Sequence, residues 1–132
     1  MRGVLIIAVA LAVAFGTVTL FALEGREVVK LRTRDASGVE RETRAWVADA
    51  DGAEWVEAAN AERPFLEHIQ AGSRVDLWRD GAWRSCTATV EPPPAGHARI
   101  RRLLADKYGW ADRWIGLLAD TSASWAVRLD CR

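Results

Sequence analysis

The chain opens on one long apolar run and then breaks into short segments in which apolar and polar residues alternate. From Gly3 to Leu23 no charged residue interrupts 21 positions. Wound as a helix at about 1.5 Å per residue, such a run spans roughly 30 Å, the hydrocarbon thickness of a bilayer. A cleaved secretory signal has a shorter apolar core and small residues at its cut site. Here Phe21-Ala22-Leu23-Glu24 leaves Leu20 where a small residue is wanted. Residues 3–23 therefore read as an uncleaved transmembrane anchor that takes the lipid bilayer as its partner. Arg2 flanks it on one side, while Arg26 and Lys30 on the other are offset by Glu24 and Glu27. That balance predicts a single-pass cell-membrane protein with an inside amino terminus and its soluble domain on the outer face.

Residues 24–132 carry a different rhythm. Val28 to Thr33 alternates with the period of a half-buried strand, and Asp35-Ala36-Ser37-Gly38 is a turn cluster. Arg41 to Ala48 reads as the second strand of a hairpin, Asp51-Gly52 as a tight turn, and Glu54 to Ala58 as a third strand. Pro64 to Gln70 is a short helix with proline in its first turn and Gly72 beyond its end. Arg74 to Arg79 and Trp83 to Val90 flank a second Asp-Gly turn, and Pro92-Pro93-Pro94 stops the pairing. Ala98 to Tyr108 sets Ile100, Leu103, Leu104 and Tyr108 on one helical stripe. Trp110 to Leu118 is a further helical piece after Gly109, and Ser124 to Leu129 closes as a sixth strand. The pattern predicts an α+β fold: a six-stranded β-barrel domain with a short helix after strand 3 and a helical segment before the last strand.

Charge and cysteine content narrow the chemistry. Eighteen Lys and Arg balance eighteen Asp and Glu, which argues against nucleic acid as a partner, since phosphate binding needs an excess of cations. Cys86 and Cys131 are too far apart for a zinc knuckle; they either pair in an oxidising compartment or remain buried thiols. His68 and His97 stand alone, so no metal site is predicted. There is no nucleophile elbow around Ser85, no Gly-rich phosphate loop, and no calcium-loop spacing after Asp49. Of the seven Trp, those at 46, 55, 78 and 125 fall within strands and are expected to fill the barrel. Arg32, Arg34, Arg41 and Arg44 either face a phosphate or, interleaved with Glu40 and Glu42, form a solvated strand face.

The stretch Thr33-Arg34-Asp35-Ala36-Ser37-Gly38-Val39-Glu40-Arg41 resembles the hairpin of the deazaflavin-dependent nitroreductase family, a Thr-Gly-Arg-x-Ser-Gly-x-x-Arg pattern. That family belongs to the split β-barrel flavin-binding proteins, alongside the pyridoxamine phosphate oxidases. In element order the resemblance runs from about residue 28 to 130, with about ten positions matching by type. It implies a deazaflavin coenzyme or FMN as cofactor. It also implies that Arg41 neutralises its phosphate, that Ser37, Gly38 and Thr43 support the contact, and that Ala59 and Asn60 lie against the ring. Phe65, Tyr108, Trp110 and Trp114 would then shape the pocket for a small organic hydride acceptor, and a second copy of the chain is an expected partner.

Two departures support a rival reading. The basic turn positions of the pattern are Asp35 and Ala36 here, and its His-Pro-x-Trp stretch is Glu62-Arg63-Pro64-Phe65. An acid in a phosphate turn repels the ligand, so the alternative is a non-enzymatic binding or interaction module that kept the barrel and lost the cofactor.

Overall fold

The computed structural model describes residues 1–23 and 27–132; Glu24 and Arg26, used above in the flanking-charge balance, lie outside them. Helix α1 (Arg2–Leu23) comes first. The strands β1 (Val28–Arg34), β2 (Glu40–Ala50), β3 (Ala53–Ala58), β4 (Val75–Arg79), β5 (Ala82–Glu91) and β6 (Trp125–Cys131) follow. Helix α2 (Pro64–Gln70) sits between β3 and β4, and α3 (Ala95–Tyr108) and α4 (Trp110–Leu118) lie between β5 and β6. The strands close into an antiparallel barrel in the order β1-β2-β3-β6-β5-β4. The α+β barrel expected from the alternation is the fold found.

Both Asp-Gly steps make the hairpins as their composition predicts. Asp51 and Gly52 have φ of 53° and 70°, and Asp80 and Gly81 of 53° and 79°. Two successive left-handed residues twist a two-residue loop in the sense of the strands it joins. The strands then reach further than the alternation alone marks, β2 from Glu40 to Ala50 and β5 from Ala82 to Glu91.

Successive residues on three strands face two different cores, as a period of two requires. Val47, Val56 and Val127 point inside the barrel, where they join Val29, Leu31, Val75, Leu77 and Leu129, with Phe65 and Leu66 of α2 packed in the same cluster. Their neighbours Ala48, Trp55 and Ala126 point outward and are covered by Ile100, Leu104 and Tyr108 of α3. This corrects the expectation for the tryptophans. Trp55 belongs to the outer core with Trp46 packed beside it, and only Trp125 packs against the inner one. Trp78 instead pairs with Trp83, ring centroids 5.5 Å apart. Branched aliphatics fill a six-stranded interior; an indole is too large to alternate with its neighbours there.

Cys86 and Cys131 stand opposite each other in the β5–β6 register and are joined by a disulfide. Glu54 lies close enough to both sulfurs to suggest a metal cluster, but bonded sulfurs offer no thiolate to a cation.

Candidate cofactor cavity

The barrel has a seam. Strand β2 pairs with β1 along its register from Glu40 to Trp46, but with β3 only from Val47 to Ala50. On its other edge β3 pairs with β6 from Glu54 to Ala58. Among the described residues no strand therefore pairs with this edge of β2 from Glu40 to Trp46, and in an antiparallel strand every second residue aims its N–H and C=O toward such an edge. A cavity of about 470 Å³ opens there, a volume typical of small-molecule sites. Thr43, Arg44, Ala45 and Trp46 line it from β2, Glu57, Ala59, Arg63 and Phe65 from the end of β3 to α2, and Arg101, Leu104, Asp112 and Ile115 from α3 and α4.

Trp46 gives this cavity a flat apolar wall. Its indole is braced from behind by Tyr108, with centroids 4.8 Å apart. The Tyr108 hydroxyl donates to the Val47 carbonyl at 2.7 Å, and the Glu27 carbonyl lies 3.0 Å away. Burial pushes the phenol up from its ordinary pKa, so it stays neutral as a donor.

Charge sets the cavity's preference. Arg101 of α3 reaches Glu57 of β3 at 3.1 Å and Asp112 of α4 at 2.6 Å. Burial pushes the Asp112 carboxyl up, while the Arg101 charge pulls it back. Two acids thus share one guanidinium, and the remaining cations on the wall are Arg44 and Arg63. Among the described residues, three guanidinium groups against two carboxylates leave a positive balance suited to an anion.

A larger cavity of about 580 Å³ lies on the other side of β1, lined by Arg32, Arg34, Asp35, His68, Arg74 and Asp76 among others. Its cations are already engaged. Arg34 pairs with Glu40 at 2.6 Å, Arg32 with Glu42 at 3.2 Å, and Arg74 donates to Ser85 at 2.7 Å. His68 is bonded to Thr33 at 2.9 Å. With no Trp, Tyr or Phe on its wall, it offers a ring compound little to stack on.

Of the residues singled out from sequence, the structure brings Thr43, Ala59 and Phe65 together on the seam cavity. Arg41 is exposed, outside the lining of either of these cavities. Ser37 and Gly38 form the hairpin tip, where one Asp35 oxygen accepts from the Ser37 amide, the Ser37 hydroxyl and the Val39 amide. Those bonds hold the Asp35 carboxyl below its ordinary pKa, so the acid shapes the turn. Asn60 accepts from the Glu62 amide at 3.1 Å and caps the loop beside Ala59. Tyr108 stands behind the wall, Trp110 is half exposed, and Trp114 packs on α1. Arg44 was one of four arginines weighed for a phosphate-facing patch, while Arg63, Arg101 and Asp112 were not singled out. The available signal was Asp112, an acid inside an apolar helical stretch, three residues before Ile115 on the same face.

A closed six-stranded barrel with helices after strand 3 and before strand 6, split along β2, defines the class of split β-barrel proteins. Solved structures agree. An "F420-H2 Dependent Reductase" superposes with a TM-score of 0.56 at 13% identity, over 80% of this chain and 95% of that one. A putative pyridoxamine 5'-phosphate oxidase from Listeria innocua gives 0.55 at 12%, over 86% and 90%. HutZ, a heme storage protein from Vibrio cholerae, gives 0.59 at 14%, over 89% of each chain. No family model and no curated protein matches the chain. At these identities the likeness is one of fold, and chemistry rests on the residues of the site.

Proposed function

We propose that the chain is a membrane-anchored split-barrel oxidoreductase whose seam cavity binds a deazaflavin or FMN and serves hydride transfer to a small organic acceptor. The observation that carries this reading is the pairing of an aromatic wall, Trp46, with Arg44 and Arg63 beside the edge of β2 where its pairing with β3 ends. A flavin-type cofactor needs a flat apolar contact for its rings and cations for its phosphate, and the residues present fit both demands. Arg44 and Arg63 neutralise the anionic tail, Thr43 supplies a hydroxyl, and the small side chain of Ala59 permits close approach of the backbone. Arg101, held between Glu57 and Asp112, keeps those two acids from repelling an anion. When bound, the cofactor supplies the hydride chemistry, and the protein supplies orientation and charge.

Helix α1, with mean hydropathy 2.7 over its most apolar window, is the anchor in this proposal. The Cys86–Cys131 disulfide supports an oxidising compartment, hence the outer face, for the barrel. A homodimer through the barrel is part of the same reading. The test is the absorbance of full-length protein extracted from its native membranes, before and after incubation with FMN or deazaflavin. A retained or reconstituted yellow chromophore supports the reading, and a protein that stays colourless with both contradicts it.

One observation favours a second reading, a binding module without redox activity. The hairpin arginine that the family pattern assigns to phosphate is exposed here, and Asp35 occupies the turn. HutZ, described as a storage protein, is an example of this fold used to hold a ligand. Under this reading the cavity takes an anionic ring compound that is not reduced when an electron donor is added.

A further inference from the structure

We infer that α4 is an in-plane membrane helix: its outer face, Trp114, Leu117 and Leu118, lies in the lipid interface beside α1. The inference rests on the reading of α1 as a membrane span and adds to it the face that the barrel turns to the bilayer.

Depth carries the argument. Up to Phe21, α1 has no buried residue, and near its carboxyl end it packs against α4. There the Phe15 and Trp114 rings meet at 5.4 Å, and the Trp114 indole N–H donates to the Thr19 hydroxyl at 2.9 Å. The apolar run is only just long enough to cross a hydrocarbon core of about 30 Å, so little of α1 protrudes from it. Phe15 lies about 10 Å, at 1.5 Å per residue, short of the buried Ala22. A ring packed at Phe15 and Thr19 therefore sits at or below the level of the lipid headgroups. A helix bound at that depth cannot stand in open water while its neighbour stands in lipid.

The composition of α4 suits that position. Its sequence WADRWIGLL exposes Leu117 at 82% and Leu118 at 49%. On its other face Ala111 and Asp112 are buried, and Asp112 is paired with Arg101 of α3. Trp114 spends its one polar hydrogen on Thr19, and a satisfied N–H can enter an apolar layer at low cost. Thr19 in turn donates to the Phe15 carbonyl at 2.8 Å, within its own helix. Trp is the residue type enriched where hydrocarbon meets headgroups. Arg113, exposed between these apolar positions, has the long stem that lets a charge reach up to the phosphate layer.

The test reconstitutes the full chain into phosphatidylcholine vesicles carrying bromine on the acyl chain near the glycerol. Flotation after an alkaline carbonate wash reports α1; quenching of tryptophan emission by the bromines reports α4. The expected result is carbonate-resistant flotation with partial quenching, most of it lost in Leu117→Glu and in Trp114→Phe. Leu117 is exposed, so its substitution leaves the barrel intact, which an unchanged far-ultraviolet spectrum checks. Protein that floats but shows the same quenching in both variants overturns the inference and leaves the anchor standing. So does protein that floats unquenched and crosslinks as a dimer through α4. Protein that is washed off the vesicles overturns the anchor reading and this one with it.

Discussion

Arg79 at the end of β4 ties together three acids from different parts of the chain. Its guanidinium meets Glu27 at 2.7 Å, Asp49 at 2.6 Å and Glu54 at 2.9 Å, and Arg84 also reaches Glu54. The Glu54 side chain is 11% exposed, so removing Arg79 leaves a poorly solvated carboxylate with Arg84 as its one remaining partner among the described residues. Arg79→Ala is expected to cost about 2 kcal/mol in urea unfolding. That is below the ~3–5 kcal/mol of a fully buried pair, because Asp49 and Glu27 are partly in water. The pH dependence follows from the same bonds. Arg79 is the largest cause holding both Glu27 and Asp49 below their ordinary values of 4.5 and 3.8. A depressed carboxyl contributes stability that is present above its unfolded pKa and lost as pH falls through the folded one. Unfolding midpoints should be level near neutral pH and fall below about pH 4.5, and Arg79→Ala should flatten that fall.

At the scale of elements, α3 meets the sheet with no room for a side chain at Gly96. A Cβ on Gly96 would come within 1.8 Å of the Glu91 carbonyl oxygen and 3.1 Å of the Ala126 amide nitrogen, both backbone atoms. Neither can swing aside, so Gly96→Ala should displace the start of α3. The expected loss is about 1–3 kcal/mol, read by thermal or urea denaturation. Each element was legible because its signal is local: alternation for strands, Asp-Gly for hairpins, the Ile100–Leu104–Tyr108 stripe for α3. Even the two-sided core is implicit in neighbours such as Trp55 and Val56. The cavity was only half legible. Thr43, Ala59 and Phe65 were singled out through the resemblance and Arg44 only as one of four strand arginines that either face a phosphate or solvent, whereas Arg63 and Arg101 were not among the candidates. What makes them a site is where β2 loses β3 as a partner, and that is a long-range register that no periodicity carries. Arg41 was named by its place in a hairpin pattern, and the turn's own chemistry, Asp35 gathering three donors, puts a different residue in charge there.

On the scale of the whole molecule, the proposed reading has α1 and the barrel answer to different solvents. The helix exposes Val4, Leu5, Ile6, Ile7 and Leu11, an arrangement that favours lipid over water. A charge at its middle tests this with the barrel untouched. Leu11→Arg should cost about 3–4 kcal/mol of insertion free energy and shift protein from the carbonate-resistant membrane fraction to the soluble one. Equal membrane fractions for the variant and the wild type would contradict the anchor.

In the proposed reading the seam cavity, and not the hairpin tip, receives the anion. Equilibrium binding of FMN and of deazaflavin to the full chain in detergent micelles tests it most directly, with Arg44→Ala and Arg41→Ala measured side by side. Loss of a charge-assisted hydrogen bond, about 1.5–3 kcal/mol, should weaken the Arg44 variant about 10- to 150-fold while the Arg41 variant binds like wild type. Weakening confined to Arg41→Ala, or no saturable binding of either compound by the wild type, would contradict it.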